Sequence, residues 1–345
     1  MKTEYLYNRR LSAPVNVTWE ITKKCNLSCR HCLSAGTMAN CKEDMTLAQC
    51  KSFIDDLHRL KVFQVNIGGG EPILREDLFE ILNYCHEKNI VTCVSTNGTL
   101  INDEVAKKFS TMPMLYIQVS LDGATPEVNA LHRGKGNFER SIHGIELLNK
   151  YNFPNLSINS VVTRLNYHEI PDLYKMGKFY KAKTRLSRFR PSGSARGAWK
   201  RLQLTKDQIM GLSDYLNKYK EVLTGDSFFS ITAEDRKDLG LNMCGAAKMT
   251  CSVSPDGRVY PCAFLQEAEF YSGNILETSL KTIWDTSSVF QMLRDLKVES
   301  CRSCPRFDIC HGGCPAVAFF LKNELNCPDP ECIYQVQLQL RESVA

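Results

Sequence analysis

The chain has no run of about 18 apolar residues, and its first ten residues, Met1 to Arg10, are polar and charged with no apolar core. Those absences argue against a membrane-spanning helix and a secretory signal, so the cytoplasm is the expected compartment. Internal repeats and low-complexity segments are missing as well, which leaves a globular chain whose 345 residues allow two domains at roughly 150 residues each. Acid is missing locally. Between Asp172 and Asp207 no Asp or Glu occurs, while Lys175, Lys178, Lys181, Lys183, Arg185, Arg188, Arg190, Arg196, Lys200 and Arg201 all fall there. The lysines read as a solvated helix face, and the arginines after Lys183 lie on an expected strand and its following loop, where an anionic substrate group could be met. A net charge of only +5, without aromatic interleaving or a recognised binding module, argues against nucleic acid as a partner.

Cysteine is abundant. Sixteen are present, and their grouping in C-x2-C and C-x3-C runs favours metal ligation over disulfides. The run Lys24-Cys25-Asn26-Leu27-Ser28-Cys29-Arg30-His31-Cys32 follows a short apolar strand. Three thiolates at that pitch can hold three irons of a cubane and leave the fourth without a protein ligand. A structural zinc site would want a fourth ligand, which this run lacks. A second array reads Cys244, Cys251, Cys262, then Cys301-x2-Cys304-x5-Cys310-x3-Cys314, then Cys332, and two tetrathiolate zincs would also use eight cysteines. Cys327 competes with Cys332 for the last place. Cys41, Cys50, Cys85 and Cys93 stand at no ligand spacing and are expected to be small buried hydrophobes.

Six apolar, β-rich runs alternate with amphipathic helical patterns. The strands are expected at Val15 to Glu20, Val62 to Ile67, Ile90 to Thr96, Met114 to Leu121, Leu156 to Thr163 and Thr184 to Arg190. The helices are expected at Thr46 to Leu60, Glu76 to Lys88, Asn102 to Phe109, Asn137 to Tyr151, Tyr167 to Lys181 and about Thr205 to Leu223, with Thr46, Asn102 and Thr205 as N-caps. Such alternation means parallel pairing with right-handed crossovers, an incomplete (β/α)6 barrel whose active site lies at the carboxyl ends of the strands. A barrel over 12–225 and a smaller cysteine-rich domain over 240–340 follow, joined by the segment Thr224 to Leu241.

The C-x3-C-x2-C run after strand one, and Gly68-Gly69-Gly70-Glu71-Pro72 after strand two, resemble the signatures of the radical S-adenosylmethionine (SAM) enzymes. The resemblance implies the partial-barrel fold, a [4Fe-4S] cluster on Cys25, Cys29 and Cys32, and SAM on its open iron. In that family the cluster cleaves SAM to a 5′-deoxyadenosyl radical that abstracts a substrate hydrogen. By the same resemblance Gly69, Gly70 and Glu71 meet the SAM amino group. Ser120 and Asp122, in Val119-Ser120-Leu121-Asp122-Gly123, meet its ribose, with a hydrogen-bonded turn as their alternative role. Asn97 is similarly placed, and His31 occupies a position that is usually aromatic and can pack near the adenine. The second array, with Gly257 four residues before Cys262, resembles the SPASM domain with two auxiliary [4Fe-4S] clusters. It implies Cys244, Cys251, Cys262 and Cys314 on one and Cys301, Cys304, Cys310 and Cys332 on the other, for three clusters in all. Seventeen residues from Cys314 to Cys332 suit that family better than the shorter step to Cys327.

Within the SPASM proteins, sulfatase-maturing members carry an Asp where this chain has Ala263, and the quinone-cofactor maturase has an Asp at the place of Cys310. Runs such as Arg133-Gly134-Lys135-Gly136 and Arg190-Pro191-Ser192-Gly193 instead resemble members that rebuild the carboxyl-terminal Val-Tyr of a ribosomal precursor peptide. That resemblance implies decarboxylation of the Tyr, then a carbon-carbon bond to the Val. A separate small leader-binding protein is expected, since the first strand starts within about fifteen residues of Met1, and so is an external electron donor. The rivals are a maturase of another peptide, such as one forming thioethers, and a non-enzymatic iron-sulfur electron carrier, against which Glu71 argues. No general base is legible. Arg188 and Arg190, alternating on strand six, are candidates to hold the substrate carboxylate if that face is the barrel interior, and would snorkel outward if it is not.

Overall fold

The computed structural model describes residues 10–224 and 244–334. Six parallel strands lie side by side in chain order: β1 (Asn16–Thr22), β2 (Gln64–Gly69), β3 (Val91–Thr96), β4 (Leu115–Ser120), β5 (Leu156–Val162) and β6 (Lys183–Arg188). The crossovers carry α1 (Leu47–Arg59), α2 (Leu78–Glu87), α3 (Asp103–Ser110), α4 (Asn137–Lys150) and α5 (Ile170–Phe179), and α6 (Lys206–Lys218) follows β6. This is the expected partial (β/α)6 barrel. Each predicted N-cap accepts a backbone N–H of its first turn: Thr46 from Gln49, Asn102 from Val105 and Thr205 from Gln208. Among the described residues no helix is long and apolar enough to cross a membrane.

Strand alternation splits the sheet into two faces. Val17, Trp19, Ile21, Val65, Ile67, Ile117 and Val119 are fully buried on the helix side. The inner face carries Thr18, Glu20, Asn66, Ser95, Gln118, Ser120, Asn159 and Ser187 beside Val91, Cys93 and Val161, so the barrel interior is mostly polar.

Helices at Ala35–Asn40, Pro126–Arg133 and Ala195–Leu202 were not legible in the sequence. Each is eight residues or fewer, and Pro126–Arg133 is cut from α4 by Gly134 and Gly136, both at positive φ. A larger difference concerns the second domain. The sheet continues past β1: β7 (Thr250–Val253) runs parallel to it, from Asn16 opposite Thr250 to Trp19 opposite Val253. Antiparallel β8 (Arg258–Tyr260) and β9 (Gly273–Asn274) extend it further. The outer edge of β1 would otherwise present unpaired N–H and C=O groups. The expected domain limits at 225 and 240 and nearly all of the expected linker fall on 225–243, outside the described residues.

The barrel and the auxiliary segment are also joined by a buried ion pair. On β6, Thr184 and Leu186 pack toward the helices, and Arg188 shares their face. Its two terminal nitrogens donate to the carboxylate oxygens of Asp329 at 2.7 and 2.6 Å, and its Nε donates to Glu331 at 2.7 Å. Asp329 also accepts the backbone N–H of Cys314 at 2.9 Å and of Glu331 at 3.0 Å. The expectation that Arg188 and Arg190 share an inward face of strand six is corrected. The strand ends at Arg188, whose face is the outer one, and there the side chain is clamped in place of snorkelling. Arg190 lies past the strand, with its guanidinium 3.7 Å over the ring of Phe264.

Removing one partner of a buried, hydrogen-bonded pair leaves the other charge uncompensated, at a cost of about 3–5 kcal/mol. Asp329→Ala is therefore expected to lower stability by that order in anaerobic chemical denaturation, and Glu331→Gln by clearly less. Equal midpoints for Asp329→Ala and the parent would show that the pair does not hold the halves together.

Candidate active site

The cysteine loop that follows β1 is gripped along its length. At its start Lys23 N–H donates to Asp44 at 2.9 Å, and the N–H groups of Gly70 and Glu71 donate to the carbonyls of Thr22 and Lys24, both at 2.8 Å. A Cβ on Gly70 would stand 1.9 Å from the Lys24 carbonyl oxygen, so only glycine permits this approach. In its middle, Asn97 Nδ2 donates to Asn26 at 2.8 Å and Asn26 Nδ2 donates to Thr99 at 2.9 Å. At its end Arg30 N–H reaches the carbonyl of His132 at 3.0 Å, and Ser194 N–H reaches that of Cys32 at 2.9 Å. Gly193, at φ +58°, lets that last chain pass, since a Cβ there would lie 2.4 Å from the Cys32 carbonyl oxygen.

Cys25, Cys29 and Cys32 thereby sit at the carboxyl ends of the strands. Burial raises all three thiols, Cys32 to about 11, so each is protonated until metal displaces the proton. The charge of Arg133 pulls Cys29 back, with Nη1 3.9 Å from its Sγ. In the sequence Arg133 opens the run Arg133-Gly134-Lys135-Gly136, whose spacing does not point to this place.

Glu71 is almost fully buried. Its Oε1 accepts from Thr96 at 2.7 Å and from Ile73 N–H at 3.2 Å, and its Oε2 accepts from Asn97 N–H at 2.8 Å. Burial raises this carboxyl and those three donors draw it back. Oε2 keeps capacity for one further donor, such as an ammonium.

Ser120 ends β4, half-buried on the inner face. Asp122, expected beside it at a ribose, is fully buried and engaged elsewhere. His31 Nε2 stands 2.9 Å and Arg133 Nε 2.5 Å from its Oδ2, and Val161 N–H donates to its Oδ1 at 2.8 Å. Burial alone would raise this carboxyl, yet Arg133 and then His31 hold it well below the usual carboxylate range. His31 is likewise drawn inward, edge-on to His132, in place of presenting an open face. Asp122 and His31 thus stand where they position the cysteine loop.

The later cysteines fall into two neighbourhoods. Burial and then Cys314 and Cys262 push the Cys244 thiol up to about 12. Burial and then Cys310, Cys332 and Cys304 push Cys301 up to about 11. Cys332 is in this second group. Cys327 is not: it feels Glu324 and Lys322, and its Sγ donates to the Glu324 carbonyl. Cys251, expected with Cys244, Cys262 and Cys314, is not among the thiols that act on Cys244. Its place opposite Val17 in the sheet sends its side chain to the apolar helix side, where Arg294 is its charged neighbour. Thr250 and Ser252 take the opposite face. Among the described residues no three His, Cys, Asp or Glu side chains already converge on a single ion. Cys41, Cys50 and Cys85 are buried, and Cys93 is half-buried on β3.

Compared with known proteins, the chain matches the Radical SAM superfamily over residues 19–177 and an iron-sulfur cluster-binding domain, SPASM, over residues 244–305. It is 41% identical to a protein named Mycofactocin maturase MftC from Mycolicibacterium smegmatis, over 95% of this chain and 84% of the relative. It is 31% identical to an AdoMet-dependent heme synthase from Methanosarcina barkeri, over 94% of this chain and 97% of the relative. Its fold superposes on that of Streptococcus suis SuiB bound to the precursor peptide SuiA, with a TM-score of 0.75 at 21% identity, covering 94% of this chain and 77% of that one.

Two outcomes follow from the geometry. Gly70→Ala is expected to displace the Lys24 carbonyl and weaken SAM binding at least about tenfold, measured by equilibrium dialysis, since hydrogen bonds worth about 1–3 kcal/mol are disturbed. Glu20, on the inner face, has its carboxyl raised by burial to about 7 from 4.5. A raised carboxyl gives stability that is full below about 4.5 and is lost as pH climbs through 7. Glu20→Gln has no proton to lose. Relative to the parent it is expected to gain up to about 3 kcal/mol between about pH 5 and pH 8 in denaturation experiments. A pH-independent difference would show that Glu20 titrates normally.

Proposed function

We propose, for a chain that belongs to the radical SAM superfamily and carries its SPASM domain, that it matures a ribosomal precursor peptide in mycofactocin biosynthesis. The chain is a SAM-dependent iron-sulfur enzyme. Its substrate would be the carboxyl-terminal Val-Tyr of that peptide, whose Tyr undergoes oxidative decarboxylation before a carbon-carbon bond joins it to the Val. The convergence of the cysteine loop, the Gly70-Glu71 turn and Ser120 at one end of a polar barrel carries this assignment, together with the likeness to the mycofactocin maturases along nearly the whole chain.

Cys25, Cys29 and Cys32 would hold one [4Fe-4S] cluster, and Gly69, Gly70 and Glu71 the amino end of SAM. When bound, cluster and SAM supply an adenosyl radical that removes a substrate hydrogen. The chain's own contribution is placement. Asp122 fixes His31 and Arg133, and Arg133 sets a buried positive charge beside sulfurs that become anionic on metal binding. The inner row of hydroxyls and amides offers hydrogen-bond partners to an extended peptide. Cys301, Cys304, Cys310 and Cys332 would hold one auxiliary cluster. Cys244, Cys262 and Cys314 would hold the other, without Cys251. A separate leader-binding protein and an external electron donor complete the system.

Anaerobic reconstitution should load about twelve irons per chain. Replacing Cys25, Cys29 and Cys32 together by Ala should leave about eight and abolish deoxyadenosine formation. Cys251→Ala should keep the full load, whereas Cys262→Ala should lose about four irons. With SAM, reductant, the leader-binding protein and the precursor peptide, mass spectrometry should show loss of carbon dioxide and two hydrogens. A product lacking two hydrogens but retaining its carboxylate would favour a crosslink-forming maturase instead.

A further inference from the structure

We infer that Arg185 receives the terminal carboxylate of the substrate inside the barrel, an assignment that rests on the peptide substrate proposed above. Strand alternation sets its direction. Thr184 faces α5, where a Cβ on Gly177 would stand 2.2 Å from its Oγ1, and Leu186 is buried with Ile170 and Leu212. Arg185 and Ser187 therefore face inward, and Ser187 Oγ donates to the inward Asn159 at 2.7 Å.

The strand register sets its height. Arg185 lies opposite Asn159, which lies opposite Ser120, the last residue of β4. Although third in its own strand, Arg185 thus shares a hydrogen-bonded row with the residue that ends β4. Strands about 4.8 Å apart place it about 10 Å from Ser120 along that row, within the reach of an arginine side chain and one bound residue.

Among the described residues its charge has no counterpart. Arg185 is half-buried, and among the described residues no carboxylate pairs with it. Cys93, on the inner face of β3, feels its charge from across the barrel. Arg188 and Arg190, by contrast, are committed to Asp329, Glu331 and Phe264. Among the described inward strand residues Glu20 is the only carboxylate, and burial raises it from 4.5 to about 7. A partly desolvated guanidinium without an anion is costly, and its planar fork matches a carboxylate in two parallel hydrogen bonds.

The test uses a synthetic precursor peptide, leader included and ending in Val-Tyr, made with a free carboxylate or a carboxamide and titrated anaerobically, together with the leader-binding protein, into the SAM-loaded holoenzyme. The parent should prefer the carboxylate by about 10- to 100-fold. Arg185→Gln should bind both forms alike, and Arg185→Lys should restore part of the preference. In turnover, Arg185→Gln should raise KM while kcat holds or rises, because the contact is made to a group that leaves uncharged. Equal binding of the two peptides by the parent, or a preference that survives in Arg185→Gln, overturns the assignment and leaves the peptide substrate standing. If the parent binds neither form, the peptide substrate itself is refuted and the role of Arg185 with it.

Discussion

One buried carboxylate sets how the two halves of this chain meet. Asp329 binds the guanidinium of Arg188 at the end of β6, and the same two oxygens accept the backbone N–H groups of Cys314 and Glu331. Cys332 N–H is tied to the Asp329 carbonyl at 3.0 Å. A member of each auxiliary thiol group is therefore referenced to one residue, and that residue to the barrel. An ion pair of this kind does little for net stability compared with an apolar contact of the same volume, so geometry is its better justification. Gly313 belongs to the same design, since a Cβ there would lie 2.2 Å from that of Asp329.

A second carboxylate plays the corresponding part at the barrel mouth. Asp122 gathers His31 from the cysteine loop, Arg133 from the short helix before α4, and Val161 N–H from β5. Asn166 closes the shell, donating to the Asp122 carbonyl at 3.0 Å and accepting from Thr163 N–H at 2.7 Å. The loop that carries the cysteines is thus braced from the ends of β4 and β5 at once, which is what a site needing fixed distances between cofactor and substrate requires.

What could be read from the sequence was local. Strand alternation, helix periodicity and three capping residues depend on neighbours within a turn or two, and the cysteine spacings were visible as they stood. What escaped depended on partners distant in sequence. The face of Arg188 turns on where β6 stops, and its carboxylates come from residues 329 and 331. Cys251 satisfies a plausible spacing, yet the parallel pairing of β7 with β1 points it at the apolar layer. Arg133 and Asp122 look like an ordinary loop arginine and a turn residue until the fold brings them to 2.5 Å.

The pairing of β7 with β1 also bears on how the molecule is made. β1 leaves the ribosome well before β7, and one of its edges has no partner until Thr250 to Val253 emerge. Until then the strand that leads into Cys25 is an open edge, able to pair with another nascent chain. The cysteine loop can be rigid on its β2 side early, through Gly70 and Glu71, but the sheet beneath it is complete only late. A chain broken off before β7 would keep that edge open and be prone to aggregate.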